Sequence, residues 1–278
     1  MRAALLQTCV GDSPAENVAP LRAALRQAMA AGAGFVLTPE VTNCISMDRA
    51  HQHRILTDEA GDPVLAMLRD EAARAGIWVL AGSILVKTDD PDGRFANRSL
   101  LIGPDGQITA RYDKIHLFDV QVTKAETFRE SSTIRPGDRA VLAQTPFGVL
   151  GLTICYDVRF AHLYRALATA GAQILTVPAA FSPVTGAAHW ETLLRARAIE
   201  TGCYVLAPAQ TGDHPTTTGR ARANYGHSLI IDPWGAVVAD AGTETGMIFA
   251  DLDLSQVDRA RGRVPSLTHD RPYTEPQL

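Results

Sequence analysis

Residues 140–160, AVLAQTPFGVLGLTICYDVRF, carry the pattern that decides the fold. Two apolar runs, AVLAQT and VLGLTIC, flank the turn residues PFG, and such a flanked turn signals a β-hairpin. The second run passes through Cys155 and the polar Tyr156, Asp157 and Arg159 into a helical pattern over 161–170. A hairpin feeding a strand–turn–helix junction fits a mixed sheet covered by helices. A purely parallel doubly wound sheet has no such hairpins.

The same alternation extends to both sides. RAALLQT (2–8) reads as a buried strand. A helix follows with Ser13 as cap, Pro14 at its first position and Glu16 completing a capping box. Val18, Leu21, Leu25 and Met29 recur on one face at helical spacing. FVLTPE (35–40) is a strand that leaves Glu40 at its C-terminal end. Asp62-Pro63 opens a helix that Gly76 stops, and IWVLAGSILV (77–86) is the next strand. PDGQ joins the hairpin ANRSLLIG/ITARYDK. Further on come the strand AQILTVPAA (172–180), a helix over 188–202, and the strand CYVLAPAQ (203–210). A hairpin over DPWG (224–240) and a strand over 246–254 complete the pattern. From 255 the chain is polar and reads as a C-terminal tail. No linker-like shift in composition interrupts it, so 1–278 is expected to be one domain.

Composition narrows the function. The 278 residues are 46% hydrophobic and 20% charged, with a formal net charge of −4. That balance gives no basic footprint for nucleic acid or an anionic membrane. No apolar run is long enough to span a bilayer, so a soluble cytoplasmic protein without a membrane or nucleic-acid partner is expected. Cys9, Cys44, Cys155 and Cys203 are far apart, which argues against a disulfide framework or a structural zinc site. No histidine/carboxylate spacing suggests a metal.

Three residues stand out. Cys155 lies where a strand-to-helix turn can expose a nucleophile near free backbone N–H groups. It equally fits a small buried hydrophobe. Glu40 ends a strand, where a carboxylate is ordinarily just solvated. Lys114 lies in RYDKIHLFDV (111–120), an apolar run in which an unpaired charge is costly unless it faces a site or the surface. Together they meet a chemical need. A thiol requires a base, and a neighbouring cation stabilises both thiolate and oxyanion. A Cys–His pair using His116, His189 or His227 is the alternative, although these histidines read more naturally as structural.

Taken in order, LTPEVTN around Glu40, RYDKIHLFDV around Lys114 and LTICYDVRF around Cys155 resemble the nitrilase (carbon–nitrogen hydrolase) superfamily over about residues 2–275. FRESSTIRPGD, HWETLLRARAIETGCYV and YGHSLIIDPWG are most similar to its Nit branch, which includes deaminated glutathione amidase and omega-amidase. The resemblance implies a four-layer αββα sandwich of two mixed sheets flanked by helices. It implies amide or nitrile hydrolysis through Glu40, Lys114 and Cys155, without cofactor or metal. Glu130 in FRES carries over as a supporting carboxylate, and the backbone N–H of Tyr156 as an oxyanion donor. The expected substrate is a small linear amide of the ω-amido acid or deaminated glutathione type, cleaved through a cysteine thioester. A homodimer or higher homo-oligomer is implied, with the tail 255–278 as a subunit contact. Segment 119–127 departs from the pattern: it lacks the usual Pro-Gly and carries Lys124. An N-carbamoyl amidohydrolase, a nitrilase or an acyl transferase would use the same residues, and a cysteine-based binding or redox-sensor protein is the non-enzymatic alternative.

Overall fold

The computed structural model describes residues 1–123 and 126–274, so Lys124 lies outside the described residues. The strands are β1 (Arg2–Gln7), β2 (Phe35–Leu37), β3 (Trp78–Val86), β4 (Ala96–Ile102), β5 (Ile108–Asp113), β6 (Asp119–Thr123), β7 (Glu126–Arg129) and β8 (Val141–Thr145). They continue as β9 (Gly148–Leu152), β10 (Ile174–Thr176), β11 (Tyr204–Ala207), β12 (Thr211–Asp213), β13 (Ala223–Tyr225), β14 (Leu229–Ile231), β15 (Val237–Asp240) and β16 (Gly246–Asp251). The helices are α1 (Pro14–Ala30), α2 (Arg49–Ile55), α3 (Pro63–Ala75), α4 (Ala161–Thr169), α5 (Pro183–Thr201) and α6 (Ser255–Arg263).

Two six-stranded sheets form, in the orders β16-β1-β2-β3-β4-β5 and β15-β14-β11-β10-β9-β8. Each has three parallel central strands, β1-β2-β3 in one and β9-β10-β11 in the other, with antiparallel strands outside them. This is the mixed pattern that the hairpins and helical crossovers predict.

Side-chain alternation explains the layering. Along β1, Ala3 and Leu5 join the core shared with the second sheet, while Ala4 and Leu6 join a separate core. That separate core also contains Leu21 and Leu25 of α1 and Leu65 and Leu68 of α3. In β2, Phe35 and Leu37 point inward and Val36 toward the helices. A strand buried on both faces reads as a continuous apolar run, as these do. Leu163 and Leu167 of α4 and Leu194 and Ala198 of α5 pack with the second sheet. Each fully buried Leu contributes on the order of 1.5–3 kcal/mol. The result is the expected αββα sandwich.

Several elements differ from expectation. α5 starts at Pro183 rather than 188, because Pro183 takes the first helical position after the cap Ser182. At Gly186 a Cβ would overlap the Tyr225 ring, so the glycine lets α5 lie against β13. The expected tail begins with a helix, α6, which buries Val257 and Ala260. Arg261 of α6 ties it down by donating to the carbonyls of Ala172 and Thr201. Two apolar residues in a charged stretch were too weak a signal. The short α2, capped by Asp48, likewise had no apolar period to announce it.

Candidate active site

The site lies where the parallel strands end. Glu40 follows β2, Cys155 follows β9 and Ala180 follows β10. Lys114 follows β5, which pairs antiparallel with β4, itself antiparallel to β3. Two reversals restore the direction, so Lys114 emerges at the same edge as Glu40. Ligand sites of open α/β sheets favour this C-terminal edge.

Glu40 is held firmly. Its Oε1 accepts from Lys114 Nζ at 2.8 Å and Asn97 Nδ2 at 2.9 Å, and its Oε2 accepts from the Ala180 N–H at 2.8 Å. The next residue, Val41, has φ of 49°, a left-handed conformation that a β-branched side chain resists. The Ser83 hydroxyl accepts from the Val41 N–H at 2.8 Å and fixes this bend. Behind it runs Gly82, where a Cβ would overlap the carbonyl oxygens of Thr38 and Pro39.

Lys114 is 2% exposed. Its ammonium donates to Glu40 and to both carboxylate oxygens of Glu130, at 2.9 and 3.0 Å. Glu130 also accepts from the Phe118 N–H at 2.6 Å. Burial alone would lower the lysine pKa, but Glu130 and Glu40 outweigh it and push it up. Burial works against the Glu40 carboxylate in the same way, and Lys114 reverses it, leaving the Glu40 pKa below the ordinary range.

Cys155 opens a single 3₁₀ turn (Cys155–Arg159) with φ of 49°. Its N–H donates to the Pro178 carbonyl at 2.9 Å. Burial, and then the Glu40 carboxylate, drive the thiol pKa well up, while Lys114 opposes them. The resting state is therefore a thiol beside a carboxylate beside an ammonium. The Tyr156 N–H, in the first turn, has no intrahelical acceptor.

Asp157, missed in the sequence reading, binds the Cys155 turn to the lysine segment. It is fully buried and accepts from the Ile154 N–H, the Tyr112 hydroxyl, the His116 N–H and the His116 ring. His116 is thus a structural residue, its ring also stacked 3.5 Å from that of Phe160. His189 contacts Arg159, and His227 pairs with Asp240. None of the three lines the cleft. The only advance hint of Asp157 was its place two residues after Cys155. Asn97 gave no hint, since a strand asparagine is unremarkable until its partner is known.

Glu40, Lys114, Glu130, Cys155 and Tyr156, all expected from sequence, line one cleft of about 300 Å³. Phe118, Phe128 and Phe181 supply apolar walls. Among the described residues, no group of three His, Cys, Asp or Glu side chains is arranged to hold a metal ion. Nor is any described helix long and apolar enough to cross a membrane.

A four-layer α/β sandwich with an acid, an amine and a thiol on one cleft has the layout of the nitrilase superfamily. The carbon-nitrogen hydrolase family model matches residues 2–262. A deaminated glutathione amidase of Yersinia enterocolitica is 39% identical over 271 residues, covering 96% of this chain and 92% of that protein. The structure of the Caenorhabditis elegans NitFhit protein superimposes with a TM-score of 0.89 at 38% identity. It covers 97% of this chain, which spans 65% of the NitFhit chain. A glutamate-to-glutamine mutant of an amidase of Nesterenkonia sp. AN1, bearing an acrylamide Michael adduct on its active-site cysteine, aligns with a TM-score of 0.76 at 25% identity. That match covers 95% of this chain and 98% of that one. The chain belongs to the carbon–nitrogen hydrolase family.

Proposed function

We propose that the protein is an amidase, hydrolysing a linear amide of the ω-amido acid type to a carboxylic acid and ammonia, or of the deaminated glutathione type to a carboxylic acid and an amine. The observation that carries this reading is the Lys114 ammonium buried between Glu40 and Glu130, in the cleft that Cys155 also lines. The deaminated glutathione amidase relative and the Nesterenkonia amidase, with its active-site cysteine, support it.

In the proposed cycle, Glu40 takes the Cys155 proton on Oε2, whose other lone pair is already committed to Ala180. The sulfur attacks the amide carbon, and its oxygen gains the charge. Lys114 and the Tyr156 N–H stabilise that oxyanion, where one donor is typically worth about 3–4 kcal/mol. As the C–N bond breaks, Glu40 returns its proton to nitrogen, and ammonia, or the amine of a substituted amide, departs and leaves a thioester. Water then loses a proton to Glu40 and attacks the thioester carbon; the C–S bond breaks and sulfur recovers the proton. Glu130 positions Lys114 and substrate throughout.

Ammonia release is to be measured across ω-amido acids, N-carbamoyl amino acids and simple nitriles, and amine release from deaminated glutathione. Turnover confined to the carbamoyl compounds or nitriles overturns the amidase reading, and turnover of none overturns the enzyme. We further propose that the chain is a single domain and forms a homo-oligomer through its C-terminal residues, where Val264 and Tyr273 are exposed. Sedimentation velocity on the whole chain and on a chain ending at 263 tests this; a monomer at micromolar concentration rejects it.

A further inference from the structure

Asn97, near the start of β4, does more than pack beside Glu40. It is 1% exposed and lines the cleft. Its Nδ2 donates to Glu40 Oε1 at 2.9 Å, and its backbone carbonyl accepts from the Lys114 N–H at 3.0 Å. One residue thus holds both the carboxylate and the lysine segment. The other end of its amide is out of balance: Oδ1 is buried with no hydrogen-bond partner among the described residues. Turning the amide over would set that oxygen against Oε1, acceptor facing acceptor. A buried acceptor left empty costs free energy. A leucine, branched at the same carbon, would avoid that cost. What the asparagine supplies in return is one N–H on Glu40.

That N–H matters because of where it leaves room. An ionised carboxylate offers about four lone-pair directions, shared equally by its oxygens. On Glu40, Lys114 and Asn97 occupy those of Oε1. Ala180 occupies one on Oε2. The direction left over lies on Oε2, the oxygen that takes the Cys155 proton in the proposed cycle. Without Asn97 another opens on Oε1, and a proton taken up there neutralises the base without coming from the thiol. A donor to the ionised form also favours that form, so its loss makes Glu40 easier to protonate. The other charged or titratable groups around Glu40 are Lys114, Arg222 and Cys155, with Glu130 behind the lysine. A leucine at position 97 leaves them in place.

We propose that Asn97 is a positioning residue for Glu40: by filling Oε1 it keeps the carboxylate ionised and directs the thiol proton to Oε2. It acts through Glu40 and not on the substrate. The proposal rests on the Glu40–Cys155 step of the proposed cycle, whatever compound the sulfur then attacks.

Alkylation of Cys155 by iodoacetamide tests this without any amide substrate. The thiol proton passes to Oε2, the S–C bond forms and iodide leaves. The rate at Cys155, followed by peptide mass, is expected to rise with pH as Glu40 ionises. Asn97→Leu moves that acid limb up by about one pH unit or more. With an amide that the unaltered enzyme hydrolyses, kcat/KM falls about tenfold or more, chiefly through kcat. An unmoved limb overturns the proposal even if turnover drops, because residue 97 then only packs. Asn97→Ala repeats the measurement if the leucine disturbs folding, and an unmoved limb there overturns it equally. If the unaltered protein hydrolyses no amide while the limb still shifts, the amidase reading falls and the role of Asn97 stands.

Discussion

The Ala180 N–H donates to Glu40 Oε2 at 2.8 Å, and this one bond joins the two sheets at the cleft. Glu40 leaves β2 of the first sheet, and Ala180 follows β10 of the second. Gln210, beyond β11, adds a second tie by donating to the Glu40 carbonyl at 3.0 Å. Glu40, the proposed acid–base group, is thus fixed from both halves of the sandwich, which is how a site reduces reorganisation during reaction.

Cys155→Ala removes the sulfur from a site that already packs a small side chain. Ammonia release is expected to fall by at least about 10⁴-fold, the scale seen when a nucleophile is deleted. The melting temperature should barely move. Measurable turnover by the variant would retire Cys155 as nucleophile.

Glu40→Gln keeps the shape and removes the base. The amide also presents N–H donors to Lys114, Asn97 and Ala180, which are donors themselves. Acylation is expected to slow by about 10²–10⁴-fold. Rapid-quench detection of the acyl-enzyme checks this, and a near-normal acylation rate rejects the role.

Lys114→Met leaves two carboxylates buried or half-buried without their cation. Breaking a buried ion pair in this way costs about 3–5 kcal/mol. Chemical denaturation should therefore show a clear loss of stability. A variant as stable as the parent would mean that Glu40 and Glu130 are not ionised in the fold.

The pH dependence follows from the direction of the Glu40 shift. Its pKa in the fold is lowered, by Lys114 acting against burial. Its contribution to stability is thus complete above the unfolded carboxylate value of about 4.3 and is lost as pH falls through the lowered folded value. The acid limb of kcat/KM is expected below that ordinary value. On the alkaline side the Cys155 thiol and Lys114 are both pushed up, so neither ends activity near neutrality. A pH–rate profile whose acid limb lies near 6 contradicts this.

Asp157→Asn weakens the link between the cysteine turn and the lysine segment. The Ile154 N–H and Tyr112 hydroxyl both donate to Oδ2, and His116 binds Oδ1. Leaving one buried donor unsatisfied costs about 1–3 kcal/mol. Both thermal stability and kcat should drop, with KM less affected. Unaltered kcat would confine Asp157 to a purely structural part.

The fold was legible where chemistry is local. Hairpin turns at PFG, PDGQ and DPWG, and the caps Ser13, Asp62 and Gly76, announced most of the strands and helices. What the sequence hid was partnership. Nothing in DVRF marks Asp157 as the acceptor for Tyr112, 45 positions earlier. Nothing at Asn97 points to Glu40 across 57 positions. Glu130 came from family likeness alone, because a carboxylate in a loop has no signature until its lysine is in view. The charged start of the expected tail concealed α6 because Arg261 stabilises it through carbonyls that lie far away in sequence.

Carboxylate and amine come from one sheet and sulfur from the other, so neither half of the sandwich holds a working set. Heating should then extinguish catalysis and compactness in a single event: the enzyme serves as its own thermometer, with no half-melted form left active. For anyone dividing the chain to build a complementation reporter, a cut between β5 and β8 separates the two contributions but leaves β16 of the first sheet on the sulfur-bearing piece, so signal returns only when β16 pairs again with β1.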